Sequence, residues 1–430
     1  LPNAPALVFP GKNELIFEAK RNRLLKKLHK EGIIDATTYE LAIAESLPGK
    51  PLELPDIASH FTERLAREHQ GERINSTLQF NLQKRVNQIT EEAHYRLNQN
   101  QIHNLAVLIL DVNTREVLSY VGNAPTTKEH ANYVDIISSN RSTGSTLKPF
   151  LYAALMGEGQ LLPHSLVADV PTSINGYNPQ NFDQSYQGAV PASQALARSL
   201  NVPAVTLLQE YGLQKFYNKL HQLHFKTIKR PADYYGLSLI LGGAESNLWD
   251  LTNAYAGLAA TLNHFNNTSS EYPQQAFQEP VYIQDSNYNY GEKMPNPEVL
   301  DAGAIYKSLE ALKEVNRPQG SENWEFFTDA QPLAWKTGTS YGFKDAWAVG
   351  VTPKYAIGVW VGNADGEGRP GITGIEAAAP ILFDVLNLLP SASWFETPYD
   401  ELVEASVCTQ SGNLAGLYCP EIITEWIPKN

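Results

Sequence analysis

The sequence predicts an α+β protein: a five-stranded antiparallel sheet assembled from distant segments, flanked by helices and interrupted by an inserted helical lobe. Three observations predict it. Residues 105–122, "LAVLILDVNTREVLSYVG", alternate on both sides of an Asn-Thr-Arg turn in the pattern of a β-hairpin. "PLAWKTGTS" and "DAWAVGVTPKYAIGVWVGN", near the other end, supply three further strands, two of them joined by a turn at Thr352–Lys354. Between these pieces, from Ser145 to about Thr261, apolar residues recur at helical spacing. The inserted helices should cover one face of the sheet, leaving a cleft between sheet edge and lobe.

Residues 14–30, "ELIFEAKRNRLLKKLHK", put Phe17, Leu24, Leu25 and Leu28 on one side of a helix that Gly32 stops. The opposite stripe of Lys20, Arg21, Arg23, Lys26, Lys27 and Lys30 reads as a solvated face rather than a lipid contact. Asp35 is an N-cap candidate for the helix "ATTYELAIAES", and the Pro-rich "LPGKPLELP", Leu47 to Pro55, reads as a linker. A helix at Phe61–His69, a short strand at "RINST" and a long helix from Gln79 to about Leu97 precede the hairpin. In the insert, "SINGYNPQNFDQSYQGAV" is a loop, and residues 262–294, rich in Asn, Gln and Tyr, form an irregular excursion. "AAAPILFDVLNLL" is the last helix, and no internal repeat is apparent.

At 430 residues and 43% apolar, the chain is long enough for more than one domain with a packed core. Its 33 basic and 46 acidic residues give a net charge of -13, which argues against nucleic acid as a partner. No run approaches the roughly 18 to 20 apolar residues that span a bilayer. Leu1 opens without Met, charged leader or cleavage site, so an excised piece of something longer is expected. The two cysteines, Cys408 and Cys419, enclose "TQSGNLAGLY". They fit a disulfide, two free thiols or half of a zinc site.

Three short segments carry chemistry. In "STGSTLKPFLYAALM", Ser145 and Lys148 lie three apart at the start of an apolar helix, with Pro149 suited to its first turn. A serine hydroxyl needs an adjacent base, and a lysine becomes one when burial or a neighbouring cation lowers its pKa. Alone, such a pair is more often an N-cap serine beside a solvated lysine. In "ARSLNVPAV", Ser199 and Asn201 flank Leu200, by itself a local capping triplet. In "AWKTGTSYG", Lys336, Thr337, Gly338 and Thr339 open the second group of strands, and Gly338 would admit another backbone or mark a bulge. His221 and His224 read as surface residues, and no histidine pattern suggests a metal.

Taken together, "STLK", "SLN" and "KTGT" follow one another at spacings of 54 and 137 residues on a helix start, a loop and a strand. S-x-x-K, an S-x-N-type element and K-T-G form the signature of penicillin-binding proteins and class A β-lactamases. The chain therefore resembles the penicillin-binding transpeptidases over most of residues 70–390, including "INSTLQFNLQ" and "LILGGAESNLWDLTNAYAGLA". Through "GSTLKPFLYAALMGEG", "LAWKTGTSYGFKDAWAVGV" and "CTQSGNLAGLYCP" it resembles, more narrowly, the 1C type of the bifunctional class A members.

The resemblance implies the serine β-lactamase/D,D-transpeptidase fold and four segments. Residues 1–50 would be the tail of a glycosyltransferase module whose catalytic acids lie upstream, 51–75 a linker, 76–395 the transpeptidase domain, and 396–430 the start of a C-terminal extension. It implies that Ser145 attacks the D-Ala-D-Ala end of a peptidoglycan stem peptide, that Lys148 is its base, and that an amine from a second stem peptide resolves the acyl-enzyme. Ser199 would relay a proton to the leaving nitrogen, and Asn201 would bind the substrate amide and orient Lys148. Lys336 with Thr337 and Thr339 would receive the terminal carboxylate, the charge of Lys336 also keeping Lys148 neutral. The N–H groups of Ser145 and Thr339 would form the oxyanion hole, with substrate paired along the strand through Gly338.

β-Lactams would acylate Ser145, and no cofactor or metal is implied. The expected location is the periplasmic side of the inner membrane, through an anchor missing here, with cell-wall synthesis proteins as further partners. A D,D-carboxypeptidase or β-lactamase would share all three motifs but pass the acyl group to water. A β-lactam sensor or wall-synthesis scaffold would stop short of crosslinking. Leu200 departs from the polar residue that many relatives carry there, so no role is placed on it.

Overall fold

The computed structural model describes residues 7–50, 56–316 and 331–429. The chain divides into two compact units, Leu1–Asp56 and Ile57–Asn430. In the first, α1 (Glu14–Lys30) and α2 (Ala36–Ala44) follow the predicted boundaries. Gly32 takes φ +72° just past α1, and the Asp35 carboxylate accepts from the Thr38 N–H at 2.7 Å at the start of α2. The basic stripe of α1 is not buried, in keeping with a solvated face. Part of the expected linker, residues 51–55, lies outside the described residues.

The second unit is built on the predicted sheet. Its strands are β1 (Asn104–Asp111), β2 (Val117–Val121), β3 (Ala334–Thr339), β4 (Asp345–Val351) and β5 (Tyr355–Gly362). They lie in the order β2-β1-β5-β4-β3, every neighbour antiparallel. The distant halves meet where β1 pairs with β5 in full register, Asn104 opposite Gly362 and Asp111 opposite Tyr355. Among the described residues, β3 is an edge strand whose one ladder neighbour is β4.

Both faces of the sheet are covered, so its strands are apolar on both sides yet still sort with period two. Ala106, Leu108 and Leu110 of β1 join a core with Trp347, Val349 and the inserted helices. Leu105, Val107 and Ile109 join the other core, with Val86 of α4 (Phe80–Asn98) and with Leu382 of the final helix, Ala379–Leu386. α4 is fixed to β2 by the buried amide of Gln83, whose Oε1 accepts from Tyr120 N at 2.7 Å while Nε2 donates to Tyr120 O at 3.1 Å. Between α4 and the predecessor helix Ser59–Glu68, "RINST" forms no strand. Only Ser76 makes a bridge, to Ile283, because the irregular segment opposite it offers no ladder to join.

The insert packs on one face, as predicted. Its central helices are α5 (Lys148–Gly157), α6 (Ala192–Ala197), α7 (Asn201–Tyr211), α8 (Leu213–Gln222) and α9 (Leu248–Asn267). The loop at 173–190 is interrupted by a short ladder between Leu166–Asp169 and Gly188–Pro191. Arg115, in the hairpin turn at φ +59°, is buried and donates to Asn253 O of α9 at 3.1 Å, tying sheet to lobe. His221 is exposed, whereas His224 is half-buried, and burial pulls its pKa down. Cys408, at the end of the strand Leu402–Cys408, is joined as a disulfide to Cys419 in the connection to its paired strand, Ile422–Pro428. No helix among the described residues is long and apolar enough to cross a membrane.

Candidate active site

The three motifs converge. Ser145, Ser199, Asn201, Thr337 and Thr339 line one cleft of about 340 Å³ between the edge strand β3 and the lobe. Lys148 and Lys336 lie immediately beneath it, 0% and 1% exposed. Gly338 is also buried and does not line the cleft.

Ser145 sits on the turn just before α5 rather than within the helix, with Thr146 N bonded to Thr143 O at 3.2 Å and Lys148 N to Ser145 O at 3.3 Å. Its neighbour Gly144 has φ +54°, and a Cβ there would come within 2.7 Å of Thr339 N and 2.8 Å of Thr339 O. Only glycine allows this close approach of the serine turn to the end of β3. Gly338 answers from the other side, since its Cβ would meet Thr143 O at 2.7 Å. The backbone it admits is therefore the chain's own serine turn. Tyr255 of α9 donates to Thr146 O at 2.8 Å and braces the turn from below.

Lys148 does not follow the simplest expectation from its spacing. Its Nζ donates to Ser199 O at 2.7 Å, Asn201 Oδ1 at 2.7 Å and Leu200 O at 3.1 Å, with Ser199 Oγ at 3.4 Å, and no hydrogen bond among the described residues joins it to Ser145 Oγ. Ser199 causes this. Its φ of +57° turns its carbonyl toward the lysine, a left-handed backbone costing a non-glycine residue roughly 1–2 kcal/mol. Lys336 Nζ donates to Ser199 Oγ at 2.7 Å and Thr337 O at 2.8 Å, so the Ser199 hydroxyl lies between the two amines.

Neither lysine has a carboxylate partner among the described residues. Burial, and then the charge of Lys336, hold Lys148 well below the usual lysine range. Burial lowers Lys336 to about 7. Three acceptor oxygens around Lys148 suit the ammonium, whereas desolvation and like charge favour the amine, so the site opposes two tendencies on one nitrogen.

Asn201 begins α7, and its side chain spans the motifs, with Oδ1 on Lys148 and Nδ2 donating to Gln180 O at 2.8 Å. One N–H of that amide remains for the cleft. Asn181, from the predicted loop, caps α7 by accepting from Asn201 N at 2.9 Å and is itself held by Asp169 Oδ1 at 2.6 Å. Leu200 is 7% exposed in the lobe's core, which accounts for an apolar residue in the middle motif. Thr339 Oγ1 accepts from Gly374 N at 3.0 Å.

Sequence reasoning missed several cleft residues: Phe182 and Arg198 from the lobe, and Thr373, Ile375 and Glu376 from the turn before the final helix. Of these, only Phe182 and Arg198 lie in the loop and the middle motif that the sequence marks out. Beyond Asn201 and Thr339 the cleft opens into a second cavity of about 820 Å³, where Phe182 and Phe343 meet edge to face with centroids 6.3 Å apart.

The family described as the penicillin binding protein transpeptidase domain matches residues 105–387. Penicillin-binding protein 1C of Escherichia coli K12 is 32% identical over 394 residues, covering 91% of this chain and 48% of that protein. Penicillin-binding protein 1F of Bacillus subtilis is 30% identical over 301 residues, 68% of this chain and 40% of that protein. The chain thus spans about half or less of the length of these relatives. In structure it is similar to penicillin-binding protein 1A from Haemophilus influenzae, with a TM-score of 0.73 at 17% identity over 96% of this chain and 82% of that one. The PonA1 protein from Mycobacterium tuberculosis, in complex with penicillin V, gives a TM-score of 0.57 at 18% identity over 90% of this chain and 98% of that one. These structural likenesses speak for the fold.

Proposed function

The chain belongs to the penicillin-binding protein transpeptidase family, and from that premise we propose that it forms peptidoglycan crosslinks through an acyl-enzyme on Ser145. The observation that carries this reading is the meeting of Ser145, Ser199, Asn201, Thr337 and Thr339 in one cleft above two buried lysines. Lys148, moved off the Ser199 carbonyl, takes the Ser145 proton as Oγ attacks the carbonyl of a D-Ala-D-Ala bond. The N–H groups of Ser145 and Thr339 receive the developing oxyanion. The proton then passes from Lys148 through the Ser199 hydroxyl to the leaving nitrogen, the C–N bond breaks and D-alanine departs. Lys336, Thr337 and Thr339 hold the terminal carboxylate. A second stem peptide's amine attacks the ester, forming the crosslinking amide and returning a proton to Ser145 Oγ.

The free outer edge of β3 supports backbone pairing with an extended peptide. A β-lactam would stop the cycle at the acyl stage. For the whole protein, residues 1–50 are read as the tail of a glycosyltransferase module, 51–75 as a linker, 76–395 as the transpeptidase domain and 396–430 as the start of an extension. An anchor elsewhere in the protein would hold it on the periplasmic side of the inner membrane, beside other wall-synthesis proteins. Incubation with a labelled penicillin and peptide mass spectrometry tests the core of the proposal. One adduct is expected, on the peptide bearing Ser145 and absent in Ser145→Ala, and formation of stem-peptide dimers by the purified protein separates crosslinking from hydrolysis or sensing. An adduct elsewhere, or none, refutes it.

A further inference from the structure

The resolving step needs an amine, which arrives at neutral pH as an ammonium ion, yet the groups beneath the cleft are themselves amines. Among the described residues, the formally charged side chains lining the 340 Å³ cleft are Arg198 on the lobe side and Glu376 on the sheet side. Glu376 is exposed, and it is held in place. Its Oε2 accepts from Thr373 Oγ1 at 3.2 Å, and its N–H donates to the same hydroxyl at 3.2 Å. Glu376 belongs to a π-helical turn, Gly374–Ala378, that Thr373 caps and that is bonded to the edge strand through Gly374 N and Thr339 Oγ1 at 3.0 Å. The carboxylate is thereby fixed relative to the acyl centre. Beside it, Ile375 is 39% exposed and also lines the cleft.

We propose that Ile375 and Glu376 form a subsite for a primary ammonium carried on an aliphatic chain, which delivers the acceptor to the acyl-enzyme. The apolar stem lies on Ile375 and the cation pairs with Glu376. The ammonium gives one proton to the Lys148–Ser199 pair, which later releases it to solvent. The freed amine forms the new C–N bond, and as the ester C–O bond to Ser145 breaks, the second proton of that nitrogen passes to Oγ. This assignment rests on the crosslinking reading above. It makes Glu376 a determinant of partition between amine and water.

The test uses a D-Ala-D-Ala pentapeptide donor with the 430-residue chain, comparing a tetrapeptide acceptor that bears a free lysine-type amine with D-alanine, which has no aliphatic stem. Glu376→Gln should lower the ratio of crosslinked to hydrolysed product roughly fivefold for the tetrapeptide and less for D-alanine, as befits one part-exposed ion pair. Glu376→Asp should recover part of the loss, and high salt should erode the wild-type advantage. An unchanged ratio overturns the proposal, as does a fall in penicillin labelling of Ser145 equal to the fall in crosslinking. Absence of labelling in the wild-type chain instead sinks the reading on which it rests.

Discussion

Replacing Lys336 by methionine should move the pH dependence of acylation, and the size of the shift follows from one oxygen. Ser199 Oγ is 2.7 Å from Lys336 Nζ and 3.4 Å from Lys148 Nζ, so the two nitrogens are no more than about 6 Å apart. Two positive charges at that separation repel by about 2.8 kcal/mol at an effective dielectric of 20. Lys148 must be neutral to accept the serine proton, and the Lys336 charge is one of the two causes that lower its pKa. Removing that charge raises the Lys148 pKa, so more of it is protonated at neutral pH. The acidic limb of the acylation profile should therefore move to higher pH, by less than the full repulsion would give because Lys336, lowered to about 7, is itself only partly charged near neutrality. Stopped-flow acylation by a fluorescent penicillin from pH 5 to 10 measures the limb, and circular dichroism checks that the variant is folded. A slower reaction with an unmoved midpoint would mean that Lys336 serves only to bind carboxylate, and the electrostatic argument would be refuted.

Gly144→Ala should all but abolish acylation and cost on the order of 2–3 kcal/mol, because φ +54° and a backbone atom 2.7 Å away leave the methyl group nowhere to go; labelling and thermal denaturation check it. Asn181→Ala removes the cap on α7 and leaves the buried Asp169 short of a donor, so a loss of about 1–2 kcal/mol in stability with slower acylation is expected in the same assays. Burial, then the nearby Glu279, push Asp250 up to about 7. With a folded pKa above the unfolded one, the protonated form is favoured in the fold, so this group's stability is full below pH ~4 and is lost as pH rises to about 7. Asp250→Asn should therefore raise Tm by a few degrees at pH 8 and much less at pH 4, as scanning calorimetry would show.

Much of this site was legible because its parts obey local rules. The hairpin pattern of residues 105–122 and the apolar runs on either side of the Thr352–Lys354 turn pointed to the sheet, and the helix that Lys148 begins has Pro149 in its first turn as predicted. The order of three short motifs pointed to their convergence. Long-range geometry was not legible. Spacing three apart implied a shared helical face for Ser145 and Lys148, but the serine lies on a preceding turn and the amine is drawn to carbonyls that a left-handed Ser199 turns inward. "RINST" has a strand's composition, yet a strand requires a partner ladder and Ser76 finds one bridge. Glu376 belongs to no motif, and only folding brings its turn against Thr339.

Two amines buried within about 6 Å of each other, with no carboxylate between them, are an expensive arrangement for a protein interior. A pairing acid would stabilise them, but it would also hold Lys148 protonated and so deprive Ser145 of the base proposed for it. The site instead satisfies both nitrogens with uncharged oxygens, from the Ser199 and Leu200 carbonyls, the Asn201 amide, the Thr337 carbonyl and the Ser199 hydroxyl. Neutral acceptors hold the ammonium yet carry no charge of their own, so when the proton leaves, no buried carboxylate is left unpaired. The left-handed Ser199 is the backbone strain that buys this arrangement, glycine at 144 lets the serine turn approach without any, and the apolar lobe around α5 and α9 is what can bear the strain.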